Sequence, residues 1–473
     1  MDISRLTIVE ARRALDAKDY SAEELAKEYL KEIEKKNPSL NAYLEIYDDV
    51  LEQAKAADNI IFQGEQKKLT GIPLAIKDNI LIKGKRASSA SKILSGYVAP
   101  YDATVIDRLK VQGAVFLGRA NMDEFAMGSS TENSAFGRTK HPLDHARVPG
   151  GSSGGSASAV AAGLAAAALG SDTGGSIRQP AALCGLVGLK PTYGTVSRFG
   201  LMAMASSLDQ IGPLTHTVAD ARILFNSIRG YDKNDSTSLP NDFFKQDVAK
   251  GKTIGVPRAF LEKGIDSDIL TRFEISLKHM KSQGYSIVDI DLPSFSHGLA
   301  VYYIVMPAEA STNLARFDGV RYGLSVEGVD VIDMYRKTRG QGFGREVRRR
   351  ILIGTFVLSS GYADAYYRKA LAVRDLIISD IEKAFTKVDV IATPTTPTPA
   401  FRAGEKEDPL AMYAADIFTV PVNLAGIPGI SVPMGSVARD GTNLPIGIQF
   451  VAPVGGEERL FIAGEIAEDA RYN

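Results

Sequence analysis

Strands alternating with helices predict an α/β fold: one large domain with a central mixed, mostly parallel sheet covered by helices on both faces. Two observations carry this. Short apolar runs of four or five residues recur along the whole chain, and amphipathic helical windows lie between them. A third sets the domain count. The 473 residues show no fixed-period repeat and no low-complexity linker, so 1–473 is expected to be a single domain, with a helical N-terminal part (1–60) packed on it.

The elements follow in order. Ser21 and Glu24 form an S-x-x-E capping box, and Leu25, Tyr29 and Ile33 make one apolar stripe. Asn37-Pro38 is the expected stop of that helix. Residues 72–76 read as a buried strand ending in Lys77-Asp78-Asn79. A helix over 104–112 and a strand over 114–117 follow. The alanine-rich run 157–169 is too short to span a bilayer and reads as a tightly packed core helix. Further strands are expected at 186–189, 253–256, 388–391 and 446–450, and helices at 218–228, 269–283 and 363–385. The polar stretch 231–252 reads as a surface connection, and the glycine- and charge-rich stretch 319–344 as a mobile loop near a site.

Composition narrows the function classes. Apolar residues at 45% and charged residues at 23% are an ordinary globular balance. A net charge of −1 argues against a large autonomous nucleic-acid surface, leaving only a local basic patch at Arg345, Arg348, Arg349 and Arg350. The one cysteine, Cys184, rules out an intramolecular disulfide and suits a reducing, cytoplasmic compartment. It lies in an apolar run and reads as a small buried hydrophobe. The N-terminus has no secretory pattern, and no membrane association is expected.

Chemistry concentrates in residues 147–192. Two glycine–serine stretches, Gly150-Gly-Ser-Ser-Gly-Gly-Ser156 and Gly170-Ser-Asp-Thr-Gly-Gly-Ser176, flank the alanine run. Glycine lets a backbone approach a ligand closely, and serine supplies a hydroxyl that attacks or relays a proton. A phosphate-binding loop does not fit, because G-x-x-x-x-G-K-[ST] is missing. Gly150-Gly-Ser-Ser-Gly154 matches the G-x-S-x-G elbow, but Pro149 breaks the strand such an elbow needs. None of the five histidines stands in a setting built for a general base. The remaining reading is a serine hydrolase with a lysine base. Burial lowers an amine's pKa, and Lys77 follows an apolar strand. Local sequence leaves a solvated strand-end lysine equally open.

These stretches, together with Ala75-Ile-Lys-Asp-Asn79 and Ser171-Asp-Thr-Gly-Gly-Ser-Ile-Arg-Gln-Pro-Ala181, resemble the amidase signature family. The resemblance implies a Ser-cisSer-Lys triad: Ser176 as nucleophile, Ser152 as bridge after a cis peptide, and Lys77 as base. It implies backbone donors for an oxyanion from Thr173, Gly174, Gly175 and Ser176. Asp172 and Arg178 are expected to pair and shape that loop.

Residues 313–323, 349–361 and 416–430 are similar to the ammonia-supplying subunits of tRNA-dependent amidotransferases within that family. This implies glutamine as substrate, Arg350 on its carboxylate and Asp416 on its α-ammonium, with Ser129 and Tyr302 lining the pocket. It implies subunits B and C as partners, with misacylated Glu-tRNA(Gln) reached through B. No cofactor or metal is expected in this chain, and ATP and Mg at the partner subunit. The alternatives are a stand-alone amidase acting on another carboxamide, and an assembly component with a dead site.

Overall fold

The computed structural model describes residues 1–245, 251–262 and 264–469. Part of the expected surface connection, 246–250, thus lies outside the described residues. The strands are β1 (Tyr43–Ile46), β2 (Pro73–Lys77), β3 (Val115–Ala120), β4 (Ala167–Asp172), β5 (Val187–Lys190), β6 (Gln210–Thr215), β7 (Thr253–Val256), β8 (Ser286–Asp289), β9 (Val390–Pro394), β10 (Gly429–Arg439) and β11 (Thr442–Val451). They form one sheet in the order β1-β3-β2-β4-β6-β5-β10-β11-β9-β7-β8, with helices packed around it.

The α/β class and the mixed sheet stand as expected. The parallel share is smaller than the strand–helix rhythm suggests. Among the described residues β2 pairs parallel with β3 and β4, and β7 with β8 and β9, whereas the other six pairings are antiparallel. The long β10–β11 hairpin and the β4–β6–β5 ladder account for most of the difference. Strands buried on both faces read the same in either direction, so sequence alone does not set their sense.

Three elements differ from expectation. The run 157–169 is not one helix. A helix covers Gly154–Ala161, the chain turns at Gly163, and β4 begins at Ala167. Alanine suits a buried helix and a close-packed central strand equally, so the run does not discriminate. The helix Ala22–Leu40 continues through Pro38 and stops at Asn41, whose left-handed backbone donates its N–H to the Asn37 carbonyl at 2.7 Å. Finally, the stretch 319–344 contains the helix Val331–Gly342, capped by the Asp330 side chain.

The parallel β3–β2–β4 unit positions the site. Ile76 lies beside Leu169 and Lys77 beside Ala120, so the C-terminal ends of β2 and β4 emerge together. The segments that follow them, 77–79 and 173–176, therefore meet. The N-terminal helices pack on this side with Leu25 and Tyr29 fully buried. A second apolar cluster, including Phe125, Tyr302, Met306, Phe343 and Val347, supports the opposite wall. Among the described residues no helix is long and apolar enough to cross a membrane.

Candidate active site

Lys77 ends β2 with no solvent exposure. Its Nζ lies 2.8 Å from Ser152 Oγ, 2.8 Å from Ser153 Oγ and 2.9 Å from Ser171 Oγ, and 3.2 Å from the Ser171 carbonyl. Burial pushes the amine down to about 7, against the pull of the buried carboxylates Asp123, Asp172 and Asp209. A neutral amine has two N–H bonds and one lone pair. With three hydroxyls around it, one is free to donate to the nitrogen, and that is the contact a proton relay requires.

Ser152 is also fully buried, and the Gly151–Ser152 peptide bond is cis. Gly151 N–H donates to Gln179 Oε1 at 2.9 Å, and the Ser152 carbonyl accepts from Asp123 N–H at 3.2 Å. A side chain at 151 is excluded, because its Cβ would fall 2.2 Å from Asp123 Oδ2.

Ser176 stands just before the helix Arg178–Cys184 and is 8% exposed, the only one of the three expected triad residues that solvent reaches. The loop around it is wound on Asp172. That carboxylate accepts from Gly175 N–H at 2.7 Å and Ile177 N–H at 3.1 Å. It also pairs with Arg178 at 3.0 Å, with both side chains fully buried. Burial opposes ionisation of Asp172, but the guanidinium beside it prevails and holds the carboxyl at about 2. The expected Asp172–Arg178 pair is therefore present. Arg178 extends to Gln449 Oε1 (2.6 Å), Asn423 Oδ1 (2.5 Å) and the Thr419 carbonyl (3.2 Å), anchoring the loop to β11 and the wall beside it.

This wiring corrects one expectation. Gly175 N–H is engaged by Asp172 and is not available to an oxyanion. Thr173, Gly174 and Ser176 remain as the candidate backbone donors.

Three of the four expected substrate residues, Ser129, Asp416 and Tyr302, gather at the same loop, and the Arg350 charge lies near Asp416 and Tyr302. Ser129 donates to Asp416 Oδ2 at 2.5 Å. Thr419 bridges the Asp416 carbonyl (3.1 Å) and the Gly174 carbonyl (2.6 Å). The Tyr302 ring packs on Gly174, where an added Cβ would lie 2.8 Å from its Cζ. Arg350 is buried, held by Glu346 Oε1 at 2.7 Å and flanked by the rings of Tyr303 (5.4 Å) and Tyr413 (5.5 Å). Its neighbour Arg349 is 36% exposed and bonds the other Glu346 oxygen. A cavity of about 260 Å³ is lined by Ser130, Arg349, Arg350, Lys406 and Tyr413. Burial, reinforced by Asp172, pushes the Asp416 carboxyl up to about 7 against the Ser129 bond and the nearby Arg350 and Lys406 charges.

The elbow reading finds no support. His141 spends Nε2 on the Leu183 carbonyl (2.9 Å) and Nδ1 on Leu143 N–H (3.1 Å), and His279 meets the Ile466 carbonyl. Cys184 is buried as expected, its thiol pushed up by desolvation. Sequence reasoning missed Ser153 and Ser171 on the lysine, Thr419 beside the loop, and Asp123 beneath Gly151. Only the two serines carried a signal, since both lie within the glycine–serine stretches.

The amidase family model matches residues 24–461. The A subunit of the glutamyl-tRNA(Gln) amidotransferase from Thermoanaerobacter pseudethanolicus is 54% identical, covering 95% of this chain and 93% of that one. Its counterpart from Synechococcus sp. (strain JA-2-3B'a(2-13)) is 55% identical over 93% of this chain and 87% of that one. Among solved structures, the same protein from Thermotoga maritima is similar with a TM-score of 0.78 and 42% identity, covering 100% of this chain and 94% of that one. The peptide amidase from Stenotrophomonas maltophilia has a TM-score of 0.81 at 28% identity, covering 98% of this chain and 97% of that one.

Proposed function

The chain belongs to the amidase family, and from that premise we propose that it is a single-domain glutaminase: the ammonia-supplying component of a glutamyl-tRNA(Gln) amidotransferase. It works in the cytoplasm beside subunits B and C, with misacylated Glu-tRNA(Gln) and the ATP and Mg of the ligation step held by the partners. The observation that carries the chemistry is the buried Lys77 amine at 2.8 Å from Ser152 Oγ.

In this reading glutamine enters with its α-carboxylate on Arg350 and its α-ammonium at Asp416, while Ser129 and Tyr302 shape the pocket. Neutral Lys77 takes the Ser152 proton, Ser152 takes the Ser176 proton, and Ser176 Oγ bonds to the side-chain amide carbon. The carbonyl π electrons move to oxygen, which meets backbone N–H groups of Thr173, Gly174 and Ser176. One preorganised donor is worth about 2.7–4 kcal/mol. Collapse re-forms the carbonyl and breaks the C–N bond. The proton returns from Lys77 through Ser152 to the leaving nitrogen, and ammonia departs. Water, deprotonated by the same relay, attacks the ester, and glutamate leaves with Ser176 restored.

Identity of 54% to an amidotransferase component, compared with 28% to a peptide amidase, favours this over a stand-alone amidase. The test is ammonia release from glutamine, with and without Glu-tRNA and the partner subunits, for wild type and Ser176→Ala. Loss of release in the variant and a glutamyl adduct on Ser176 in wild type support the assignment. An adduct on Ser152 overturns it.

A further inference from the structure

We propose that the adjacent buried acids Asp123 and Glu124 are two positioning residues with separate tasks: Asp123 sets the bridging serine, and Glu124 sets the helix that carries the substrate arginine. The inference rests on the glutaminase reading and extends it to a segment to which that reading gives no part.

Asp123 has no exposure and makes no ion pair among the described residues. Its Oδ2 accepts from Thr131 N–H (2.8 Å) and Ser130 N–H (3.3 Å), and its Oδ1 accepts from Asn133 N–H (3.1 Å) and Asn133 Nδ2 (3.3 Å). The carboxylate thus gathers the turn that begins at Ser129. Two glycines make room for it: a Cβ at Gly128 would meet its Cγ at 2.4 Å, and one at Gly151 its Oδ2 at 2.2 Å. Its backbone N–H holds the Ser152 carbonyl at 3.2 Å. Asp123 therefore flanks the Gly151–Ser152 segment, with its carboxylate against Gly151 and its N–H on the Ser152 carbonyl. Of the three carboxylates that favour protonation of Lys77 it pulls hardest, ahead of Asp172 and Asp209.

Glu124 points the other way. Its Oε2 accepts from Gly344 N–H at 2.8 Å, and its Oε1 accepts from the Ser91 hydroxyl. Gly344 is the N-cap of the helix Arg345–Leu358 and has no side chain to cap it. Glu124 supplies that acceptor from 220 positions away, and burial pushes its carboxyl up to about 7. Arg350 lies in the second turn of this helix. A Cβ at Gly344 would come 2.4 Å from Glu124 Oε2, so a side chain there would displace the carboxylate from its present position.

The linking backbone is held in an unfavourable conformation. Phe125 and Ala126 both have positive φ (49° and 62°), uncommon for residues with a side chain. Phe125 is locked there between Phe317 (5.0 Å) and Phe343 (5.7 Å), next to Gly344. Such strain persists only where the surroundings over-determine it.

The two tasks separate kinetically. An arginine that holds the substrate carboxylate equally before and during reaction affects KM alone, whereas the relay acts only in the transition state and affects kcat. The experiment is steady-state glutamine hydrolysis across pH by the full chain in its native assembly. Asp123→Asn should lower kcat about tenfold or more. It should also move the acidic limb of kcat to lower pH, because removing a buried carboxylate whose charge favours the Lys77 ammonium destabilises that form while Asp172 and Asp209 stay. Glu124→Ala should raise KM about tenfold, with kcat within about twofold, for the loss of one cap. A general weakening of the fold moves neither the pH limb nor this split. If either variant fails to fold, Asn133→Ala and Ser91→Ala each remove one bond to the same acids and should show the split in milder form. An unmoved limb in Asp123→Asn, or equal losses in kcat and KM for Glu124→Ala, overturns the proposal. If wild type hydrolyses a different carboxamide, the glutaminase reading fails, and the same split measured on that amide decides this inference separately.

Discussion

Ser129 and Asp416, 287 positions apart in the chain, are joined by a 2.5 Å hydrogen bond inside the protein. The bond brings the turn after Gly128 against the segment preceding Thr419, and Thr419 passes the connection to the Gly174 carbonyl. The Ser129–Asp416 wall and the Ser176 loop are thus one hydrogen-bonded unit, and burial raises the acid at its centre to about 7.

Glutamine hydrolysis should fall steeply as pH drops through about 7. In the proposed relay Lys77, held at about 7 by burial, acts only as the neutral amine, so kcat is lost below that pH. In the proposed clamp Asp416, raised to about 7, holds an ammonium only as the carboxylate, so its effect on kcat/KM has the same sign. A pH profile should show a kcat/KM limb steeper than a single titration, and Asp416→Asn should reduce it to one.

Arg350 and Arg349 are adjacent but not equivalent. Arg350 is buried between two tyrosine rings, whereas Arg349 is 36% exposed. Arg350→Lys loses the planar fork and should raise the glutamine KM roughly 10- to 100-fold. Arg349→Lys should leave KM within about threefold. Initial-rate measurements on the two variants separate these outcomes.

The Asp172–Arg178 pair should dominate local stability. Arg178→Met leaves a fully buried carboxylate unpaired and should cost roughly 3–5 kcal/mol in urea unfolding. Adding Asp172→Asn should recover part of that loss. The carboxyl's folded value of about 2 lies below its ordinary 3.8, so its contribution is complete above about 3.8 and disappears as pH falls through about 2.

Gly175→Ala should abolish turnover while the chain still folds. Gly175 has φ +137°, and an added Cβ would lie 2.2 Å from Thr419 Oγ1, the atom that holds the Gly174 carbonyl. The backbone beside Ser176 would have to shift. Circular dichroism near that of wild type, together with loss of hydrolysis, is the expected result.

The residues of the site were legible before the fold, and their roles came from the family resemblance and not from local pattern. The glycine–serine stretches are unusual enough to mark Ser152 and Ser176, and the alternation of short apolar runs marks an α/β sheet. Strand sense, the split of 157–169 and the continuation past Pro38 were not legible. Alanine, buried strands and a late proline are each compatible with two local structures, and only packing chooses between them.

Two lysines show where sequence stops. Lys77 and Lys190 each end a short apolar strand, each is buried, and burial lowers both amines to about 7. Local sequence assigns them the same character. In the folded protein Lys190 donates to the neighbouring Pro191 carbonyl, whereas Lys77 faces the hydroxyls of Ser152, Ser153 and Ser171. Sequence by itself determined that this chain has lysines ending apolar strands and two reactive-looking serine loops. The parallel pairing of β2 with β4 decided which amine meets them, because contacts across 75 to 94 positions are set by strand register and not by any neighbour in the chain.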